Sequence, residues 1–540
     1  METLTKTNQG FDFCRIWGNF DFLGIIKGID AVLWGPFVLI PLLLGCGLWL
    51  TVRLGGIQFR KLLPALHLAF VRRDEADPQD GASTAVSPES GQAPHEADAT
   101  KTPTTRPAPH ELDYSPTATG EIPALTATSG IPIVNTIEGD ISHYQALTTA
   151  LAATVGVGNI AGVATAIHLG GPGAVFWMWV TGLVGMASKY SEAFLAVRFR
   201  KKDANGEMNG GPQHYLQYVT KNRRLGKILA LSFAIFMIVA SLGTGNLTQA
   251  NSLATQLNHS FGIHPVLTGL FLSVLAGVVL LGGVKSIGRV TAAFVPIMII
   301  IYVGASLIVL GLNAAAIPGA LALIVRDAFS GTAATGGFVG SAFIVTLQYG
   351  VARGIFSNES GMGSAAIAAA AARTRQPVRQ GLVSMTQTFI DTIIVVSMTA
   401  LVIVVTGAWK LSGPNGHGFD GAPLTAQAFT IGFPGTQGHW IVAISLVFFA
   451  FSTVLGWAYY GERCIERLAG LKAVAVYRIV FAVVLFVGCI SSIEVAWVLA
   501  DISNALMAIP NLIGLVLASG LIARETRDYL RRDPKLRAAG

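Results

Sequence analysis

The run Ala152-Ala153-Thr154-Val155-Gly156-Val157-Gly158-Asn159-Ile160-Ala161-Gly162 sits inside an apolar stretch, 147–168, long enough to cross a bilayer. Glycine costs a helix about 1 kcal/mol relative to alanine, and here three glycines and an asparagine fall within seven residues. The spacing predicts a helix that unwinds at mid-membrane depth. Non-helical backbone is tolerated there only where it is buried in protein or lines a cavity. Free N–H groups of the second half-helix would then face an anion, and free carbonyls of the first half would hold a cation.

A second run has the same character: Tyr349-Gly350-Val351-Ala352-Arg353-Gly354-Ile355-Phe356-Ser357-Asn358-Glu359-Ser360-Gly361-Met362-Gly363-Ser364. It adds Arg353 and Glu359 at membrane depth, where ionisable groups are costly and are functional candidates by default. The two are either an internal ion pair or part of the site, and Asp391 on the next span is placed to join such a network. For the first run the competing readings are close helix packing, which suits Gly182 and Gly185 of the third span better, and a phosphate loop. The latter is excluded by the lack of a preceding strand and of a following Gly-Lys-Ser.

The whole chain is consistent with a membrane setting. Of 540 residues, 52% are hydrophobic and 12% charged, with mean hydropathy +0.58. Average soluble domains carry about 25% charged residues. Apolar windows predict an all-α polytopic membrane protein of eleven transmembrane helices, near 31–53, 147–168, 172–198, 228–256, 265–283, 288–312, 338–372, 380–407, 438–460, 471–490 and 494–522. An amphipathic stretch near 317–328, opened by Pro318, is expected along the interface.

With the first span set aside, the broken spans open two blocks of five with opposite orientation. That is the pattern of a 5+5 inverted-repeat, broken-helix core with one extra N-terminal helix. The expected organisation is 1–73 (first helix and juxtamembrane region), 74–128, 129–312 (first repeat), 313–523 (second repeat) and a 524–540 cytoplasmic tail. Residues 74–128 hold eight prolines and few large apolar residues, so they are expected to be a disordered cytoplasmic insert.

The net charge of +7 reads as the positive-inside bias rather than as nucleic-acid binding. Arg53 to Arg73, Arg198 to Lys227, Lys285, Arg373 to Arg379, Arg463 to Arg478 and the tail fall on one side. Only Lys6, Arg15, Lys27, Arg326 and Lys410 fall on the other. The amino terminus is therefore expected outside and the carboxyl terminus inside, in the cell's inner (cytoplasmic) membrane. Cys14, Cys46, Cys464 and Cys489 are scattered and support neither disulfides nor a metal site. The charged first 30 residues show no cleavable signal peptide.

Two further spans bring polar groups. Asn246, Gln249 and Ser252 are spaced to share one helical face, as are Thr453 and Trp457. The adjacent Ser452 and Thr453 hydroxyls are hard oxygen ligands suited to a small cation. His168, at a helix end, reads as a capping or interfacial residue. No Ser/His/Asp arrangement, His-rich cluster or nucleotide loop points to an enzyme, and a channel would conduct without stoichiometric coupling.

These residues resemble the alanine or glycine:cation symporter family of the amino acid–polyamine–organocation superfamily. The resemblance runs through 153–167, Gly170-Gly171-Pro172-Gly173, Lys189-Tyr190-Ser191-Glu192, Asn209-Gly210-Gly211-Pro212, 354–364 and 451–457. It covers roughly 15–73 and 129–523. It implies sodium-coupled uptake of alanine or glycine by alternating access, with sodium as the co-transported ion and membrane lipid as the surroundings.

The resemblance further implies that Val157 and Gly158 receive the substrate carboxylate. Gln249, Thr453 and Trp457 would line the pocket together with Gly354, Ile355, Ser357 and Asn358 of the second broken span. Sodium would meet the carbonyls of Ala152 and Val155, the hydroxyls of Ser452 and Thr453, and Asn159 as a further cation ligand. Family sequences often carry threonine where this chain has Val157, which removes a hydroxyl from the pocket. Proton coupling through Glu359 or Asp391 is the alternative to sodium.

Overall fold

The structure is a computed structural model that describes residues 22–71, 139–330, 339–412, 418–435, 437–491 and 494–533. The insert expected at 74–128 lies outside the described residues. The first break forms where its glycines stand. Ser142 opens the helix His143–Thr154 with a reciprocal cap: its Oγ accepts from the Gln145 N–H at 3.2 Å, and Gln145 Oε1 accepts from the Ser142 N–H at 3.0 Å. The helix ends at Val155, whose ψ of 88° is no longer helical. The chain resumes as a wide π turn, Gly158–Gly162, and continues as Val163–Gly170, bent by 52° from the first half.

The second break follows the helix Val339–Asn358. Glu359 takes φ 55°, the one positive φ of a non-glycine residue among the described residues; Gly361 (φ 89°) and Gly363 (φ 82°) then carry an irregular stretch to the short helix Ala366–Ala370. A glutamate in this conformation costs about 1–3 kcal/mol. Several contacts hold it there: Lys189 Nζ donates to the Glu359 carbonyl at 2.9 Å, and the Ser364 hydroxyl donates to its carboxylate at 2.5 Å.

Six helices among the described residues are long and apolar enough to cross a membrane: Arg223–Phe261, Gly283–Leu312, Pro377–Thr406, Gly438–Ala469, Leu471–Ile490 and Trp497–Arg532. The bent pair around the first break makes a seventh. Of the other expected spans, Leu39–Arg53 and Pro265–Leu281 are apolar but only 15 and 17 residues long. Ala174–Arg198 and Val339–Asn358 have spanning length but carry Lys189, Glu192 and Arg353. The amphipathic stretch is the helix Ile317–Ser330, whose Asp327 carboxylate accepts the Gly173 N–H at 2.9 Å, just before Ala174–Arg198 begins.

Packing sorts the helices into a sheath and a core. Leu267, Leu270, Phe271, Val274, Ile300, Ile479 and Val483 are exposed apolar residues on Pro265–Leu281, Gly283–Leu312 and Leu471–Ile490, as a lipid-facing surface requires. Ala174–Arg198, Pro377–Thr406 and Gly438–Ala469 are mostly buried. Gly182 and Gly185 lie against Thr392 and Ser360, where an added Cβ would come within 2.8 and 2.7 Å of their side chains. This is the close packing their spacing suggests.

At one end the two broken segments are tied together. Arg373 N–H donates to the Ile141 carbonyl at 2.7 Å, and Arg200 donates to the carbonyls of Ala370, Ala372 and Thr374 at 2.8, 2.6 and 2.6 Å. A two-stranded hairpin, Lys201–Lys202 with Met208–Asn209, docks on Asp140 through the Met208 N–H and on Arg463 through Asp203 and Glu207.

The short helix Pro212–Val219 follows the hairpin, and its His214 donates from Nε2 to Asn209 Oδ1 at 3.1 Å. Burial, with Arg467 and Lys201 nearby, pushes the His214 imidazole down to about 3. Its folded value is below the unfolded one, so the stability it contributes is present above about pH 6.5 and is lost as pH falls toward 3. Lowering pH from about 7.5 to 5.5 should cost about 1.4 kcal/mol through this group. Thermal unfolding in detergent at the two pH values should therefore drop less for His214→Asn than for the wild type, and an equal drop would refute the assignment.

Candidate functional site

The first break is surrounded by side chains that meet its backbone. The Thr453 hydroxyl donates to the Ala152 carbonyl at 3.0 Å, and Trp457 Nε1 donates to the Ala153 carbonyl at 3.2 Å. The Val157 N–H donates to Gln249 Oε1 at 3.1 Å, and Gln249 is itself anchored by donating to the Thr244 carbonyl. The Gly156 N–H donates to Asn159 Oδ1 at 2.9 Å. On the other half, Thr399 and Thr425 donate to the carbonyls of Asn159 and Ile160 at 2.7 and 3.0 Å. Ala152, Val155, Val157, Gly158, Asn159, Gln249, Thr453 and Trp457 are all buried.

The second break reaches the same centre. A Cβ on Gly158 would stand 3.2 Å from Phe356 Cδ1 and 3.3 Å from Ser357 Cα. Asp391 joins the two breaks: Asn159 Nδ2 donates to Oδ1 at 2.7 Å, and the hydroxyls of Ser357 and Thr392 donate to Oδ2, each at 2.9 Å. Asn358 donates to Thr392 Oγ1 and accepts the Ser360 N–H. Ile355 is buried one residue before Phe356.

Some expected site residues are turned elsewhere. Gly354 lies against helix Ala174–Arg198, where a Cβ would meet Thr181 Oγ1 at 2.5 Å, so it serves close packing. The Ser452 hydroxyl donates to the Phe449 carbonyl at 3.0 Å and lies 3.5 Å from Met298 Sδ, while its neighbour Thr453 alone reaches Ala152. Successive helical residues point about 100° apart, which separates the two hydroxyls.

Asn246 and Gln249 do not share a face. A π turn at Gly243–Leu247 inserts an extra residue per turn, and Asn246 donates to the Phe481 carbonyl instead. Arg353 and Glu359 do not pair either. Glu359 lies beyond the end of helix Val339–Asn358, and Arg353 meets Asp501 at 3.4 Å.

Sequence reading placed Asp391 in a network with Arg353 and Glu359 rather than between the breaks, and it missed Phe356, Thr399 and Thr425. The one available signal was an aspartate in the otherwise apolar run after Phe389. Among the described residues no group of three or more His, Cys, Asp or Glu side chains could hold a metal ion.

The description of the sodium:alanine symporter family matches residues 21–87 and 126–538. The chain belongs to this family. The match leaves only 88–125 uncovered between its parts, inside the expected insert. The sodium/alanine symporter AgcS of Methanococcus maripaludis is 44% identical over 509 residues, 94% of this chain and 97% of that one. A transporter of Haemophilus influenzae is 43% identical over 94% of this chain and 96% of its own length. The probable sodium/glutamine symporter GlnT of Bacillus subtilis is 38% identical over 73% of this chain and 80% of its own length. This protein is thus a multi-pass membrane transporter of the symporter class, not an enzyme.

Gly156 is a residue whose smallness the site needs. A Cβ there would fall 2.3 Å from Thr453 Oγ1 and 3.1 Å from Gln249 Oε1. Gly156→Ala should displace both side chains from Ala152 and Val157. Two lost hydrogen bonds of about 1 kcal/mol each amount to about a thirtyfold loss of uptake at low substrate. Uptake at wild-type rate by correctly folded Gly156→Ala would show that these contacts do not serve transport.

Proposed function

We propose that this transporter imports a small neutral amino acid, alanine and/or glycine, together with sodium by alternating access. The observation that carries the reading is the first break, where a carbonyl–hydroxyl pair (Ala152, Thr453) stands beside an N–H–amide pair (Val157, Gln249) within three turns of each other. Backbone carbonyls with a hydroxyl suit a small cation; backbone N–H groups at the start of a half-helix suit a carboxylate.

In this mechanism sodium meets the carbonyls of Ala152 and Val155 with Thr453, while Ser452 stays on Phe449. Asn159 supplies a further oxygen. The Thr453 hydroxyl then presents its lone pair to the ion, and its O–H turns from the Ala152 carbonyl toward the pocket. The substrate carboxylate replaces Gln249 at the Val157 N–H and takes the Gly158 N–H. Ile355, Ser357 and Asn358 border it from the second break, and Gly354 lets that helix pack closely. Trp457, seated on Ala153, and Phe356, against Gly158, leave room for a small side chain only. One sodium moving inward at about 100 mV contributes about 2.3 kcal/mol, sufficient for about fiftyfold accumulation.

The proposal includes eleven spans in a 5+5 inverted-repeat core, with repeats over 129–312 and 313–523. It also includes an outside amino terminus, a cytoplasmic tail and residence in the inner membrane. The positive-inside bias and the family membership support these points.

Labelled alanine uptake into proteoliposomes, with and without an inward sodium gradient at fixed pH and potential, tests the reading. Uptake should require sodium and be competed by glycine but not by leucine or glutamine. Trp457→Ala should admit leucine or phenylalanine. Sodium-independent uptake that falls as external pH rises would move coupling to Asp391 and Glu359, and competition by glutamine would overturn the small-pocket assignment.

A further inference from the structure

Asn504 is buried in the last helix, Trp497–Arg532, one turn beyond Ala500, and no step of the mechanism above uses it. Its Nδ2 donates to the Thr244 hydroxyl at 2.9 Å, while its Oδ1 is buried without a hydrogen-bond partner among the described residues. A buried amide left half-satisfied costs stability that an apolar side chain of similar size would not. That cost points to a task for the one bond it makes.

The bond ends on a wide turn of the helix Arg223–Phe261. Thr244 lies in the π turn Gly243–Leu247, where the Thr248 N–H reaches back five residues to the Gly243 carbonyl. The Thr244 carbonyl takes two side-chain donors, Thr248 Oγ1 at 2.7 Å and Gln249 Nε2 at 3.1 Å. With its nitrogen engaged there, the Gln249 amide turns its oxygen to the first break, where it accepts the Val157 N–H at 3.1 Å. The turn is itself wedged between neighbours: a Cβ on Gly243 would stand 3.0 Å from Ala500 Cβ, and one on Gly245 would overlap Trp457. A chain of hydrogen bonds thus runs from Asn504 through Thr244 and Gln249 to Val157. Asn511, two turns further along the same face of the last helix, donates to the Gly361 carbonyl of the second break. One helix face therefore reaches both breaks.

We infer that Asn504 is a positioning residue: through Thr244 it fixes the Gln249 amide with its oxygen toward the first break, and the last helix thereby sets the polarity of the pocket wall. An inverted amide would set N–H groups against the Val157 N–H. Once a carboxylate has taken that N–H, the same inverted amide would face the ammonium of a bound amino acid. A fixed orientation avoids both clashes, and holding it before binding spares the ordering cost at that moment. The π turn supplies the reach, because five residues separate Thr244 from Gln249. Removing its extra residue would rotate Gln249 by about 100° around the helix and off the break. The inference rests on the proposed amino acid transport for the ammonium and on the hydrogen bonds alone for the orientation.

The test uses the full chain with two readouts: sodium-driven alanine kinetics in proteoliposomes, and amide hydrogen exchange at Val157, which needs no substrate. Asn504→Leu and Thr244→Val remove the same bond from its two ends. Each should raise both KM and exchange at Val157 about fivefold, with the maximal rate within about twofold of wild type. Exchange at Gly156, whose N–H is held by Asn159, should not change. Combining the two substitutions should do no more than either alone. Thr244→Ser, which keeps the hydroxyl, should keep KM and exchange at wild-type values.

Wild-type KM and exchange in Asn504→Leu and Thr244→Val would overturn the relay, as would additive effects in the double variant. A fall in maximal rate with exchange rising over the whole chain would mark a merely structural residue and overturn it as well. Exchange rising at Val157 as expected, in a protein that takes up no alanine, would sustain the fixed amide and reject the substrate assignment.

Discussion

A helix broken inside a membrane leaves backbone groups that no water can reach, and each must find a partner in the protein. Around the first break many of those partners are side chains: Thr453 for Ala152, Trp457 for Ala153, Asn159 for Gly156, Gln249 for Val157, Thr399 for Asn159 and Thr425 for Ile160. All but Asn159 come from helices far apart in sequence. The break cannot exist before those helices pack, and those polar side chains would be costly in the membrane without the break. The unwound segment and its surroundings therefore specify each other.

The second break solves the same problem with charge. Glu192 accepts the Gly363 N–H at 3.0 Å and the Asn511 side-chain amide at 2.8 Å, and Asn511 also donates to the Gly361 carbonyl. Lys189, at 3.7 Å from Glu192, donates to the Glu359 carbonyl. Buried charges are expensive unless fully partnered, and here a lysine, two glutamates and an irregular backbone stretch satisfy one another. The Lys189-Tyr190-Ser191-Glu192 stretch thus acts on the second break rather than on its own helix.

The breaks themselves were legible because glycine clusters in apolar runs have few other uses. Gly182 and Gly185 were legible as packing residues, and Gln249, Thr453 and Trp457 bond to the backbone of the first break. What could not be read depends on three-dimensional register. Arg353 and Glu359 are near in sequence, but Arg353 is on the helix and Glu359 in the irregular stretch beyond its end, and Asp501 has no local mark that announces its partner. The π turn at Gly243–Leu247 moved Asn246 off the face of Gln249, and no simple periodicity foretells an inserted residue. Ser452 and Thr453 were read as a pair of ligands, yet the helix directs only Thr453 to the break. Among the described residues length and hydropathy pick out seven of the eleven expected spans, because helices buried inside a bundle can carry charge that lipid-facing ones cannot.

Asp391 gives these separate solutions a common consequence. Its two oxygens are taken by different breaks, Oδ1 by Asn159 and Oδ2 by Ser357. Asn159 in turn holds Gly156, the residue between the carbonyls proposed to face the cation and the N–H groups proposed to face the substrate. A shift in either half-helix must therefore be felt at this carboxylate and passed through at most two hydrogen bonds to the other. Coupling between two ligands is reciprocal in free energy, and it is strongest where both bias one shared element. Here that element is the segment around Gly156, which Asp391 reaches through Asn159; in the proposed mechanism an ion that orders its carbonyls also orders the N–H groups beyond them.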